Sequence, residues 1–222
     1  PADSILLLGG GSGVPTGLMG VTCSYSMSSS DIVLTSCGSS QVIIRTWLVL
    51  DWCTNNVILE NAQGEDNVQL IFISDVSPPM VSLPSNLSLN AEIPASGNTL
   101  CKTMGYIPGP LVSDNCSSFD VAIFCELGEL VYQNGVDGSE GGFIPFPGLG
   151  LGSHSIEYKV RDECNNETIK IGTLIVEDNS VPVMVTAPSS LIGLNELGLN
   201  EVLAQTFDQG SFDNCCLDYF EI

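Results

Sequence analysis

The chain repeats itself, and the repeat limits the folds that it can adopt. Residues 45–55 align with residues 156–166 at a shift of 111 (162 − 51). Aromatic, valine, aspartate and cysteine positions coincide in this alignment: Trp47 with Tyr158, Val49 with Val160, Asp51 with Asp162 and Cys53 with Cys164. A repeat of this size predicts tandem modules rather than one continuous fold.

Two further elements recur along the chain. Residues 71–75 and 175–178 each end in an aspartate that a proline follows four residues later, at a shift of 103 (178 − 75). Residues 113–116 match residues 212–215 around Asp-Asn-Cys, at a shift of 99 (212 − 113). The repeat unit is therefore about 80 to 105 residues. We expect modules at residues 1–77, 78–180 and 181–222, the third being an incomplete opening that lacks the strand ending in Asp-x-Cys.

Local patterns indicate strands. Residues 155–161 alternate apolar Ile156, Tyr158 and Val160 with charged residues, which is the period of a half-buried strand. Further β-rich runs lie between Gly, Pro, Asn and Asp turn signals, at residues 31–35, 42–50, 68–74, 119–126, 129–133 and 168–177. Residues 194–207 are also expected to form a strand, because Gly193 and Gly198 disfavour a helix. These runs predict an all-β fold of sandwich modules.

The charge balance excludes several classes of function. Five Lys and Arg stand against 26 Asp and Glu among 222 residues, which gives a net charge of −21. Such a chain repels nucleic acids and anionic lipids, whose binding needs clustered cations. With 44% hydrophobic residues it is too apolar for a disordered acidic tail. Because no apolar run approaches about 20 residues, we expect no membrane insertion.

Nine cysteines at wide spacing indicate the compartment. No C-x-x-C pair is present and His154 is the single histidine, so zinc, haem and thioredoxin-type motifs are disfavoured. Together with three N-x-S/T sequons, at Asn86, Asn115 and Asn166, the cysteines favour disulfides in an oxidising, extracellular location.

At this point the residues resemble a known family. Residues 148–166, followed by 175–178 and Pro182, resemble the hyalin-repeat family of immunoglobulin-like modules. Residues 45–54 and 206–215 resemble repeats of very large surface proteins of Bacteroidota, which occur with gliding-motility and type IX secretion sorting domains. The resemblance implies a tandem array of immunoglobulin-like β-sandwiches at the cell surface. One departure is residues 20–23, Gly-Val-Thr-Cys, where the repeat would have Asp-Asn-Cys.

We therefore expect a structural or adhesive segment of an extracellular fibre or adhesin. Its partners would be neighbouring repeats or other copies, joined by strand complementation into filaments, with surface glycans or proteins as ligands. The alternative is a carbohydrate-binding or spacer module of a secreted enzyme, in which an exposed Trp52 could form a sugar platform while Trp47 and Tyr158 lie in the core. We do not expect an enzyme, since His154 suits a structural role and no pair of carboxylates stands out.

Calcium is the cofactor that the sequence suggests. Hard cations take six to eight oxygen ligands, and acidic and amide residues recur at the predicted strand ends: Asp75, Asp114, Asn115, Asp162, Glu163, Asp178, Asn179, Asp213 and Asn214. Asp75 and Asp178 lie at the joints between modules, a placement similar to that of calcium in cadherin-like proteins. The alternative is that these residues cap tight turns through their own backbone.

The recurring elements also suggest covalent links. We predict a Cys116–Cys164 disulfide because Asp-Asn-Cys and Asp-x-Cys recur together, with Cys101–Cys125 as the second pair. By analogy Cys23 would pair with Cys53, which leaves Cys37, Cys215 and Cys216 without partners. Glycosylation is expected at Asn86 and Asn166, and at Ser4, where Asp-Ser-Ile resembles the O-glycosylation site of Bacteroidota.

Overall fold

A computed structural model describes residues 24–60, 64, 66–92, 101–115, 118–215 and 220–221. Within these residues the regular structure is almost entirely β, which confirms the predicted fold class. One short 3-10 helix, Ala204–Phe207, accompanies the strands. In chain order the strands are β1 (Tyr25–Thr35), β2 (Gln41–Asp51), β3 (Asn56–Ile58), β4 (Val68–Ile73), β5 (Met80–Ser82), β6 (Leu87–Asn90), β7 (Lys102–Thr103), β8 (Tyr106–Pro108), β9 (Leu111–Ser113), β10 (Phe119–Cys125), β11 (Gly128–Glu129), β12 (Gly141–Phe143), β13 (Leu149–Gly150), β14 (Gly152–Asp162) and β15 (Glu167–Glu177).

The chain divides into two compact units. Unit 1 consists of Pro1–Pro79 together with two short segments, Asp114–Phe119 and Arg161–Asn166. Unit 2 contains the rest, including residues 181–222, which we expected as a separate opening module. The boundary near Pro79 lies close to the predicted one at residue 77.

Unit 1 is built on an antiparallel sheet with β2 at its centre. On one side β2 pairs with β1 over the full length of both strands, and on the other side it pairs with β4 and then with β3. In the second half of β2 the side chains alternate between buried and more exposed positions, and Trp47, Val49 and Asp51 are the buried ones. The indole N–H of Trp47 donates to buried Gln69 (3.1 Å), which satisfies both polar groups. Every residue of β1, by contrast, is exposed.

Unit 2 contains a five-stranded sheet in the order β11-β10-β14-β15-β6, in which β6 runs parallel to β15. The alternation predicted for residues 155–161 is present, since Ile156, Tyr158 and Val160 are fully buried. Inward residues of the neighbouring strands share this core: Val121, Ile123, Leu174 and Val176. Burial of such aliphatic side chains stabilises the fold by about 1.5 to 3 kcal/mol each.

Three two-stranded pairs accompany this sheet in the described part of unit 2: β12 with β8, β13 with β7, and β5 with β9. The first pair needs glycine at residue 141, whose φ is 110°. A Cβ atom there would lie 2.3 Å from the carbonyl oxygen of Ile107, closer than any real contact.

The structure reproduces the sequence repeat in its backbone. Strands β2 and β14 each have 11 residues, correspond at a shift of 111 (152 − 41) and end on a buried aspartate. The antiparallel bridge of Val183 with Phe212 corresponds to the pair Met80 with Ser113 of β5 and β9. Its shifts of 103 (183 − 80) and 99 (212 − 113) are those of the sequence alignment. Residues after 181 therefore begin the pairing that opens the preceding module.

The strand expected at residues 194–207 is absent from the structure. That segment contains the 3-10 helix and turns, and Asn195 caps one turn through the N–H groups of Leu197 and Leu199 (both 2.9 Å). The prediction was wrong because the apolar spacing was not matched by a neighbouring strand, and turn formation by asparagine prevailed.

A mutation in β14 tests the packing of the core of unit 2. Ile156→Ala in β14 should lower the free energy of unfolding by about 2 to 5 kcal/mol, since Ile156 is 0% exposed and its truncation leaves a cavity. The control is Ile171→Ala in β15, where the side chain is 66% exposed. Urea denaturation measures both, and equal effects would contradict the packing described here.

Candidate functional site

Three of the predicted carboxylates lie together in unit 1. Asp75 follows β4, Asp114 follows β9 and Asp162 is the last residue of β14. One carboxylate oxygen from each lies within 4.8 Å of those of the other two, a spacing at which one metal ion could bind all three. We call these residues the aspartate cluster. Their sequence separation shows that tertiary structure, and not a local motif, assembles the cluster.

Asn166 fixes the position of Asp162 in the cluster. Asp162 is 4% exposed, and its Oδ1 accepts the backbone N–H of Asn166 (2.8 Å). The Asn166 amide donates from Nδ2 to Asp162 Oδ2 (2.8 Å) and to the carbonyl oxygen of Asp75 (3.2 Å). Asn165 makes this tight turn by adopting φ of 66°, which asparagine tolerates well. The Asn-Asn pair after Asp-x-Cys is thus the local signal for this arrangement.

Asp75 presents one oxygen to its own turn and the other to the cluster. Its backbone N–H donates to Ser40 Oγ (2.8 Å), and its Oδ1 accepts the N–H of Ser77 (3.0 Å). Its Oδ2 is buried and has no hydrogen-bond partner within the described part of the chain. A buried polar atom left without a partner costs about 1 to 3 kcal/mol, and more when charged.

The donor set of the aspartate cluster fits a hard divalent cation. Like charges about 4 to 5 Å apart near a protein surface repel by about 3 to 4 kcal/mol per pair, so the cluster opposes folding by itself. Calcium prefers carboxylate oxygens and accepts irregular geometry, whereas zinc and copper prefer nitrogen and sulfur. The buried Oδ2 of Asp75 therefore fits a calcium ligand.

A disulfide lies beside the cluster. Cys37, in the loop between β1 and β2, is bonded to Cys164, in the turn after β14, with a Cα–Cα distance of 5.0 Å. Ser40 connects the two features, since its Oγ accepts the N–H of Asp75 and lies 3.3 Å from Cys164 Sγ. Glu163 takes no place in the cluster: its carboxylate accepts the N–H of Gly38 (3.1 Å) and the hydroxyl of Ser118.

The predicted ligands near residues 178 and 213 do not form an equivalent cluster. Asp178 is exposed, and one of its oxygens lies within 4.8 Å of the sulfur atoms of Cys101 and Cys215. Those sulfurs form a disulfide with a Cα–Cα distance of 4.8 Å, so they offer no thiolate to a metal. Oδ1 of Asp213 and Oδ1 of Asn214 are buried without a hydrogen-bond partner among the described residues. Asn179 donates its N–H to Asn90 (2.9 Å), and Asn115 is exposed.

Acidic and amide residues of this chain also act as turn formers, which was the alternative to calcium binding. Acidic and amide side chains accept the N–H group two residues ahead at many turns: Asp51, Asp66, Asp75, Asn134, Asp137, Asp178, Asn195 and Asp208. At Asp51, the repeat counterpart of Asp162, the N–H of Cys53 and then the hydroxyl of Thr54 hold the pKa below its usual value. Turn formation at Asp75 uses Oδ1 and leaves Oδ2 without a hydrogen-bond partner among the described residues, so it is compatible with a role in the aspartate cluster.

The disulfide predictions need correction. Cys164 is bonded to Cys37 and not to Cys116, and Cys101 is bonded to Cys215 and not to Cys125. Cys125 is a buried free thiol, since it continues the inward row of Val121 and Ile123 on β10. Recurrence along the sequence predicted pairs within one repeat. In the structure the two cysteines of each pair are farther apart in sequence, by 127 positions for Cys37–Cys164 and by 114 positions for Cys101–Cys215.

The third predicted pair stays a prediction. Cys53 is disulfide-bonded, and its partner lies outside the described residues, as do Cys23, Cys116 and Cys216. Ser4 also lies outside the described residues. Asn86 is exposed, in keeping with the predicted glycosylation, whereas both hydrogens of the Asn166 amide are engaged in the aspartate cluster, which argues against a glycan there.

The structure also places the single histidine and the three aromatic residues that the sequence analysis singled out. His154 lies 2.8 Å from the carbonyl oxygen of Gly150 through Nε2 and 3.4 Å from Glu126 through Nδ1. Its surroundings are therefore those of a strand residue held by its neighbours. Trp47 and Tyr158 are buried as predicted, and Trp52 is 61% exposed.

A scan against protein-family models finds no match to this chain, and a search of curated proteins finds none either. Within the described residues, no helix has the length and apolar character needed to cross a membrane.

The disulfides give the second prediction. Peptide mapping without reduction should recover Cys37 linked to Cys164 and Cys101 linked to Cys215, and Cys125 should react with an alkylating reagent only after unfolding. A Cys101–Cys125 peptide would contradict the arrangement. Opening the link at Cys37 should destabilise the fold by about 5 kcal/mol on the chain-entropy model for a loop of this size.

Proposed function

We propose that this chain is a structural or adhesive segment of an extracellular protein, a tandem β array stiffened by disulfides and calcium. The observation that carries the proposal is the aspartate cluster beside the Cys37–Cys164 disulfide. Three segments that are distant in sequence meet there, and each is a turn or a strand end. A site of this kind would bind a cation for rigidity.

The energetics support a structural role for the cation. Net charge of −21 opposes compaction of the chain. Within unit 1 the cluster adds local repulsion, while much of the sheet, including all of β1, stays exposed. A bound calcium would neutralise the carboxylates of Asp75, Asp114 and Asp162, and would hold the end of β14 against the turn after β4. The disulfide would keep the same segments together when calcium is scarce.

The extracellular location belongs to the same proposal. At least four cysteines of the described residues are oxidised in pairs, which suits an oxidising compartment. Millimolar calcium outside cells allows even weak extracellular modules to bind the ion. The fully exposed β1 edge and the acidic surface would then be available for contacts with other proteins or glycans.

The third prediction concerns calcium. Excess calcium over chelator should raise the melting temperature, because a ligand at about a hundredfold excess over its Kd stabilises the native state by about 2.7 kcal/mol. Asp75→Asn should abolish this gain, since it removes a cluster charge while its amide oxygen can still accept from Ser77. In chelator the same variant should be no less stable than the native chain, because repulsion is relieved.

The matched control is Asp178→Asn. Asp178 occupies the equivalent place in the repeat and caps Ser180 in the same way (3.1 Å), but lies outside the aspartate cluster. This variant should keep the full response to calcium. Identical melting curves with calcium and with chelator for the native chain would contradict the calcium proposal and leave these aspartates as turn formers.

One observation favours the alternative, a carbohydrate-binding module. Trp52 is 61% exposed directly after β2, and an exposed indole can stack on a sugar ring. The alternative predicts retention on a glycan panel that Trp52→Ala abolishes and that Leu59→Ala, at another exposed apolar residue of unit 1, leaves unchanged. Absence of glycan binding by the native chain would eliminate it.

A further inference from the structure

Residues 1–77 and residues 181–222 each repeat a different half of the module expected at residues 78–180. In unit 1, β2 and β4 correspond to β14 and β15 at shifts of 111 (162 − 51) and 103 (178 − 75), and β1 flanks β2 as β10 flanks β14. Residues after 181 instead carry counterparts of β5 and β9, joined by the bridge of Val183 with Phe212. The counterparts of β6 and β15 therefore lie in different parts of the chain.

Among the described strands, the outer edge of β4 has no neighbour of the kind that β15 has. In unit 2, β6 covers the outer edge of β15 in parallel, with Leu89 opposite Val176. Among the described strands, β4 pairs with β2 alone. The inward residue shows the effect: Val176 is 2% exposed, whereas its counterpart Ile73 is 44% exposed. On the opposite face the counterparts Ile175 and Phe72 are similarly exposed, at 43% and 49%.

A counterpart of β6 is present later in the chain. Residues 87–90, Leu-Ser-Leu-Asn, match residues 192–195, Ile-Gly-Leu-Asn, at a shift of 105 (195 − 90). Residues 192–195 are not in a strand, and Leu194 is exposed although it corresponds to Leu89. Its neighbours Leu191 and Leu197 are exposed as well. This exposed apolar segment has the sequence of an edge strand but pairs with none of the described strands.

We propose that residues 192–195 of one copy of this chain add in parallel to the edge of β4 that no described strand covers in a second copy, in the register of β6 on β15. Leu194 would then lie opposite Ile73 and cover it. This inference rests on the structural function proposed above and names the partner. Among the described residues each copy offers one such acceptor edge and one such donor segment, so the contact is heterologous and can continue from copy to copy.

The occupant is a second copy because both halves of a known pairing are present on this chain. Residues of β6 and β15 already demonstrate the register, and the apolar side chains match position by position. Local charge permits the contact, since neither β4 nor residues 192–195 contain a charged side chain. The net charge of −21 acts over longer distances and is screened beyond about 8 Å at about 0.15 M salt.

The test is the mass of the full chain by light scattering over a wide range of concentration, in salt and in calcium. The native chain should show a mean mass that rises with concentration to roughly twice the monomer or more. Ile73→Asp should hold the chain as a monomer, because a charge would be buried at the contact. The matched control, Phe72→Asp, places the same charge on the opposite face and should still associate.

Mixing two variants with complementary defects distinguishes the proposed contact from non-specific aggregation. Leu194→Asp removes the donor and Ile73→Asp removes the acceptor, so each variant alone should be monomeric. Mixing them should give a one-to-one dimer that grows no further, because one functional acceptor and one functional donor remain. A native chain that is monomeric at every concentration, or association that Ile73→Asp leaves unchanged, would overturn the proposal. Calcium-dependent melting of such a monomer would show that the proposed function survives without it.

Discussion

The buried carboxylate of Asp162 is the constraint on which the arrangement of unit 1 depends. Its two oxygens accept hydrogen bonds from Asn166, whose amide also reaches the backbone of Asp75. The disulfide at Cys164 lies two residues away and holds the loop between β1 and β2. One short turn thus connects a strand end, a second strand end and a distant loop. The cost of gathering carboxylates there is the physical reason to propose a cation.

The repeat explains why such a turn recurs. Strands β2 and β14 bury the same alternate positions and both end on an aspartate that accepts bonds from the following turn. Aspartate at this point ends the strand and accepts hydrogen bonds from the turn that follows it through both carboxylate oxygens. Both carboxylates accept bonds from their own turns, and of the two it is Asp162 that lies within 4.8 Å of carboxylate oxygens of Asp75 and Asp114. The same sequence element therefore caps a turn after both strands, and after β14 it also joins the aspartate cluster.

Much of the fold was predictable because period-two alternation and turn residues act locally. The strands around residues 31–35, 42–50, 68–74 and 155–161 appear where the pattern placed them, and Trp47 and Tyr158 are buried. Disulfide pairing was not predictable, since Cys37 and Cys164 meet through tertiary contacts that no spacing encodes. The same limit explains the candidate site: the sequence supplied nine acidic or amide residues, and folding selected Asp75, Asp114 and Asp162. Asn166 was missed because its sequon suggested a glycan.

The central claim is that the aspartate cluster is a calcium site. The most direct measurement is a crystal structure of the chain grown with calcium, with the ion identified by its anomalous scattering. The account predicts one ion with oxygens of Asp75, Asp114 and Asp162 about 2.3 to 2.6 Å away. An empty cluster in crystals grown at saturating calcium, with the three carboxylates turned apart, would contradict it.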